Sequence, residues 1–171
     1  MLIGAASGGI GGAVKEAAKI ATPIPAPIID QIGKPAPDLL YLFSFYGDSK
    51  SLPPNLLRAI AQVESGGNPK AVNVNKDGSR DYGLMQINER TALTFGHDLN
   101  TLYDPDVSIR IASKLLNSIK AEFRTALKRD PTLDELIASY NVGGPTVRRR
   151  GIINRGYVDK VKSIMAGYNN A

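Results

Sequence analysis

The stretch Ala61 to Pro69, AQVESGGNP, sets a glutamate at the end of an apolar helical pattern, directly before two glycines. A helix C-terminus carries roughly half a negative charge, so an anion there is disfavoured by ~0.3–1 kcal/mol. Leu57, Ile60, Ala61 and Glu64 recur at i, i+3, i+4 and i+7, which is one face of a predicted helix. Glu64 therefore continues an apolar stripe toward packed protein or a cleft. Desolvation and the negative helix end both disfavour its charged form and raise its pKa. A carboxyl group so placed can serve as a general acid near neutral pH. The plain alternative is a terminal glutamate turned out to solvent, and this stretch alone leaves both open.

Other chemistries are narrowed by composition. The 171 residues include no cysteine, which excludes disulfides and thiolate metal sites. His97 is the single histidine and no HExxH-like spacing occurs, so neither a metal nor any other cofactor is expected. The net charge is +5, and Arg148, Arg149, Arg150, Arg155, Lys160 and Lys162 lie close together. Without a recognition-helix motif or interleaved aromatics, this reads as a solvated basic surface. Such a surface attracts polyanions, including an anionic cell envelope, and implies no specific nucleic-acid partner.

The elements that must position Glu64 are helical. Residues 1–37 read as an appended segment and 38–171 as the main domain. MLIGAASGGIGGAV carries no charge, and Gly4, Gly8 and Gly12 repeat in the small-xxx-small pattern of packed membrane helices. The run stops at Lys15, short of the ~20 apolar residues that span a bilayer. It also lacks the basic start of a signal peptide. A cleavable signal, membrane contact, docking into an assembly and a plain tail all stay open for it. Pro23, Pro25, Pro27, Pro35 and Pro37 then favour an extended arm.

DLLYLFSFYG predicts a helix packed on the domain, and SLPPNLLRAIAQVE a helix opened by prolines where a missing N–H costs nothing. Asp104 as N-cap with Pro105 starts a long helix, and Thr132 with Glu135 forms a capping box before ASY. A last helix covers roughly Gly156 to Gly167. The polar loop from Gly66 to Asp81 is the place for a small hairpin. The expected fold is mainly α.

Four motifs in order then matter together: Glu64-Ser65 with its two glycines, DYGLMQIN, ASYNVGG, and a late tyrosine in GYVDKV. From about Leu52 to Val161 they resemble the soluble-type lytic transglycosylases, which share the lysozyme fold with its small loop or β-hairpin region. The look is nearest to the small specialised enzymes of secretion and conjugation machines or of phage virions. The resemblance implies that Glu64 is the catalytic acid and base, and that Tyr140 holds and tunes it through its hydroxyl. It implies that Ser65 is a polar neighbour and that Gly83 lets a glycan strand approach closely. Leu84, Met85 and Gln86 would line saccharide subsites, Asn141 would brace the Tyr140 wall, and Tyr157 would flank the glutamate. Met85 and Leu84 as ordinary core, and Tyr157 as a packing residue, are the bland readings beside these. Ser139 departs from the family pattern, since alanine is usual before the Tyr-Asn pair.

The implied substrate is the peptidoglycan glycan strand, cleaved between N-acetylmuramic acid and N-acetylglucosamine with closure of a 1,6-anhydro ring. Ordinary glycosidases use two carboxylates. Here Asp77 sits in a turn, Glu89 suits a helix start, and Asp81 alone is a candidate second group. A lysozyme-like hydrolase using Asp81 therefore stays open. So does a structural or membrane-penetrating component that grips the wall. The resemblance places the protein in the periplasm or at the wall. Carriage by a virion or another envelope-crossing assembly, joined through residues 1–50, is the expected route.

Overall fold

The structure, a computed structural model, describes residues 38–169, so the expectations for the segment 1–37 lie outside the described residues. Helix α1 (Leu39–Ser49) starts where the Asp38 carboxylate accepts the Leu40 N–H, satisfying one orphan donor. Helix α2 (Pro54–Ser65) begins with proline at its first position and ends on Gly66, whose φ of 63° is left-handed. The Gly66 and Gly67 N–H groups return to Gln62 and Ala61 carbonyls, which closes the helix immediately after Glu64.

Three short antiparallel strands follow in the order β1 (Val72–Val74), β2 (Arg80–Tyr82) and β3 (Ile87–Asn88). Asn73 pairs with Asp81, and Asp81 with Asn88. The hairpin expected in the polar loop is present, and the third strand is an addition. It lies inside DYGLMQIN, where a buried apolar run hides the strand period.

Helix α3 (Glu89–Thr94) and a 3-10 turn (Leu99–Tyr103) lead into α4 (Pro105–Leu127), capped by the Asp104 side chain. Helix α5 (Leu133–Val142) carries the Thr132–Glu135 capping box in both directions. Helix α6 (Gly144–Arg150) was not foreseen, and Gly143, at φ 82°, ends α5 and starts α6. Helix α7 (Arg155–Asn169) closes the described chain.

The 23-residue α4 is the axis of the core: Ile109, Ile111, Ala112, Leu116, Ile119 and Phe123 are buried along it. Leu56, Leu57, Ile60 and Ala61 of α2 join the same core. Each such Leu, Ile or Phe contributes ~1.5–3 kcal/mol by leaving water. Helix α7 packs on α2 and α5, and α5 packs on α4. These contacts bring the end of α2, the end of α5 and the start of α7 to one place.

The basic cluster is partly neutralised. Arg148 pairs with Glu122 at 2.7 Å, and Asp134 receives Lys162 at 2.8 Å and Arg155 at 3.4 Å. Arg149 and Arg150 stay exposed, as a solvated basic face requires.

Candidate active site

Glu64 occupies the last turn of α2, half-buried, on the wall of a cleft of about 900 Å³. Its stripe partners Leu57, Ile60 and Ala61 are buried, so the periodicity that aimed the glutamate inward is realised. Burial pushes its carboxyl above the ordinary 4.5, and the negative charge of Asp81 pushes the same way. A hydrogen bond from Tyr157 opposes them, with the hydroxyl donating to Glu64 Oε1 at 2.6 Å. Burial is the largest of the three, so the net shift is upward and the charged form is disfavoured relative to an ordinary carboxylate.

Tyr157 comes from the first turn of α7, and burial beside Glu64 holds its hydroxyl protonated far above the usual range. Tyr140 comes from α5 and is also held protonated by burial and by the charges of Glu64 and Asp81. Its hydroxyl, however, donates to the Met85 carbonyl at 2.7 Å. The expected contact from Tyr140 to the glutamate is thus made by Tyr157. The start of α7 packs on α2, whereas the end of α5 meets the loop before β3.

That loop holds itself by close backbone contacts. Gly83 has φ 74°, and a Cβ there would lie 2.0 Å from the Leu102 carbonyl oxygen. The close approach that Gly83 permits is therefore that of the 3-10 turn rather than of a glycan strand. Leu84 and Met85 are 1% and 0% exposed, so their side chains belong to the core and do not line the cleft. Ser65 is likewise tied to the frame, its hydroxyl lying 2.7 Å from the Leu84 carbonyl and 3.1 Å from that of Ala61. Gln86 does line the cleft, at an unusual φ of 47°, with its amide nitrogen donating to Gly83 and Ala71 carbonyls. Asn141 lines it too, and its side-chain oxygen accepts from Asn154.

Part of the cleft lining comes from the sheet. Asp81 lines the cleft with each carboxylate oxygen engaged: Oδ1 accepts from Asn88 at 2.8 Å and Oδ2 from Asn75 at 3.0 Å. Asp77 is pulled down to about 2 by hydrogen bonds from Ser79 and by Arg90, which pairs with it at 2.9 Å. Among the described residues no group of three or more His, Cys, Asp or Glu side chains could hold a metal ion. The cleft therefore holds the half-buried Glu64 carboxyl, whose charged form burial disfavours, together with an aspartate whose two oxygens are both taken by amide donors.

Residues 42–169 match the transglycosylase SLT domain. The chain belongs to the transglycosylase SLT family. Protein IpgF of Shigella flexneri is 41% identical to this SLT chain over 101 residues, 57% of this chain and 62% of that one. Protein virB1 of Agrobacterium fabrum is 35% identical over 136 residues, covering 66% and 54%. Invasion protein IagB of Salmonella typhimurium is 33% identical over 110 residues, covering 62% and 63%. The chain thus spans less than two thirds of the length of each of these relatives. The 70 kDa soluble lytic transglycosylase of Escherichia coli superposes with a TM-score of 0.60 at 27% identity, over 76% of this chain and 24% of that enzyme. A lytic transglycosylase Slt of Pseudomonas aeruginosa, at 22% identity and a TM-score of 0.59, shares the fold. The lysozyme-like, mainly helical SLT architecture is as the motifs implied.

Three residues of this SLT site escaped sequence reasoning. Asn75 and Asn88 hold Asp81; the signal for Asn75 was only its place in the polar loop from Gly66 to Asp81, and Asn88 ends the DYGLMQIN motif with no role assigned to it. Ser139 lines the cleft as well, and its signal was the departure from alanine before Tyr140.

Proposed function

We propose that this SLT domain is a peptidoglycan lytic transglycosylase in which Glu64 alone serves as acid and then as base. The observation that carries the reading is the pairing of unequal carboxylates in one cleft. Glu64 is half-buried and biased toward its protonated form, while both Asp81 oxygens are occupied by amide donors. Glu64 has the surroundings of a general acid, and the oxygens of the second carboxylate are engaged by amide donors. That favours a reaction in which the substrate supplies its own nucleophile.

In this reading the Glu64 proton goes to the β-1,4 glycosidic oxygen as the bond to C1 of the muramyl residue breaks. Asp81 and the cleft's electronegative wall stabilise the oxocarbenium-like charge that develops. Glu64, now ionised and steadied by Tyr157, takes the proton of the muramyl 6-hydroxyl, and that oxygen closes on C1. One proton is donated and one recovered, so the carboxyl group returns to its starting state. Water is not consumed.

The domain acts at the wall, and residues 1–50 join it to an assembly that crosses the envelope. The likeness to a relative named for invasion supports that setting. Digestion of purified sacculi by the wild type and by Glu64→Gln tests the chemistry. The wild type should release muropeptides and the variant none, and a variant that still cuts overturns the assignment.

A further inference from the structure

Three buried side-chain atoms among the described residues lack a hydrogen-bond partner: Arg110 Nε, Asn154 Oδ1 and Ser139 Oγ. Of these residues only Ser139 lines the cleft that holds Glu64. It is 2% exposed, in the turn of α5 that also carries Tyr140 and leads to Asn141, both lining residues. A mid-helix serine can return its hydroxyl to the carbonyl four residues back, yet Ser139 makes no such bond. An unmade hydrogen bond at a buried hydroxyl costs stability and is rarely tolerated without a use.

Several neighbouring polar groups of the cleft are already engaged. The Tyr140 hydroxyl is given to Met85, the Tyr157 hydroxyl to Glu64, and the Gln86 amide nitrogen to backbone carbonyls. The Asn75 and Asn88 amide groups are given to Asp81 and Ser79. Among the described residues that line the cleft, Ser139 thus carries the buried side-chain oxygen left without a hydrogen-bond partner. We propose that Ser139 is a substrate-positioning residue, whose hydroxyl bonds an oxygen of the N-acetylated sugar seated beside Glu64. Alanine at this position would fold equally well and lose that bond. The inference rests on the transglycosylase reading for the identity of the ligand.

The test separates the two. Binding of tri-N-acetylchitotriose and turnover of sacculi are measured for the wild type and for Ser139→Ala, together with the thermal midpoint. The expected result is a Ser139→Ala protein at least as stable as the wild type. Its Kd and KM should rise about three- to tenfold, the worth of one neutral hydrogen bond, with kcat changed less. Ser139→Thr, which keeps the hydroxyl, should recover part of the affinity. Unchanged Kd and KM in Ser139→Ala would reduce the hydroxyl to an idle core group and overturn the proposal. A clear loss of stability would do the same, by showing that the free protein already satisfies it. A wild type that cleaves no sacculi defeats the transglycosylase reading instead, while the chitotriose arm still decides whether Ser139 contacts an amino sugar.

Discussion

The Tyr157 hydroxyl donates to Glu64 Oε1 at 2.6 Å, joining the start of the last helix to the end of the second. This bond favours the ionised carboxylate and so works against the burial that raises the Glu64 pKa. Tyr157→Phe removes the opposing effect, and the Glu64 pKa rises further. The limb of the pH–rate profile on which activity is lost as Glu64 ionises should move to higher pH. The maximal rate should fall about tenfold or more, since a hydrogen bond to a charged group contributes ~1.5–3 kcal/mol. A pH profile of sacculus cleavage reads both effects, and a limb that stays in place contradicts the assignment.

Tyr140→Phe should behave differently. Its hydroxyl satisfies the carbonyl of Met85, a residue with no exposed surface. Losing that partner should cost about 1–3 kcal/mol of stability. The rate should fall through displacement of the loop that carries Gln86, with the Glu64 limb of the pH profile shifting less than in Tyr157→Phe. Denaturant unfolding beside the pH profile separates the two tyrosines. If Tyr140→Phe moved the limb and Tyr157→Phe did not, their roles would be reversed.

Gly83→Ala places a Cβ 2.0 Å from the Leu102 carbonyl oxygen at a left-handed φ. Backbone on both sides of the clash leaves no flexible atom to yield. The variant should lose about 3 kcal/mol or more, seen as a fall in the thermal midpoint. An alanine variant with wild-type stability would refute the close packing of this loop on the 3-10 turn.

Glu64→Gln should also change the pH dependence of stability. The native carboxyl titrates above the ordinary 4.5. Between that value and the native pKa the folded state holds more proton than the unfolded state. Stability therefore falls as pH rises through this window in the wild type. The glutamine variant lacks that fall. Its stability relative to the wild type should grow from below the window to above it, and calorimetry across that range measures the change. A constant difference would mean that Glu64 is not desolvated.

Much of the frame was legible because its signals are local. Asp104, the Thr132–Glu135 box and the prolines at Pro53 and Pro54 act within a few residues of themselves, and all three helix starts are found. Glu64 was legible because a helical stripe fixes a direction. Which tyrosine reaches it was not, since Tyr140 and Tyr157 differ only in how α5 and α7 pack against distant partners. Leu84, Met85 and Gly83 were misplaced for a related reason. A motif shows that residues are constrained, and both a ligand and a neighbouring backbone impose constraint. The strand at Ile87–Asn88 has only two residues, too few to show a period.

The mass of the product end tests the central claim most directly. Sacculi digested with the wild-type protein are resolved by mass spectrometry at the muramyl terminus. One acid acting with an internal nucleophile predicts 1,6-anhydro ends, lighter than hydrolysed ends by one water. Reducing muramyl ends would instead make Asp81 or a bound water part of the reaction, and would contradict the single-carboxylate account.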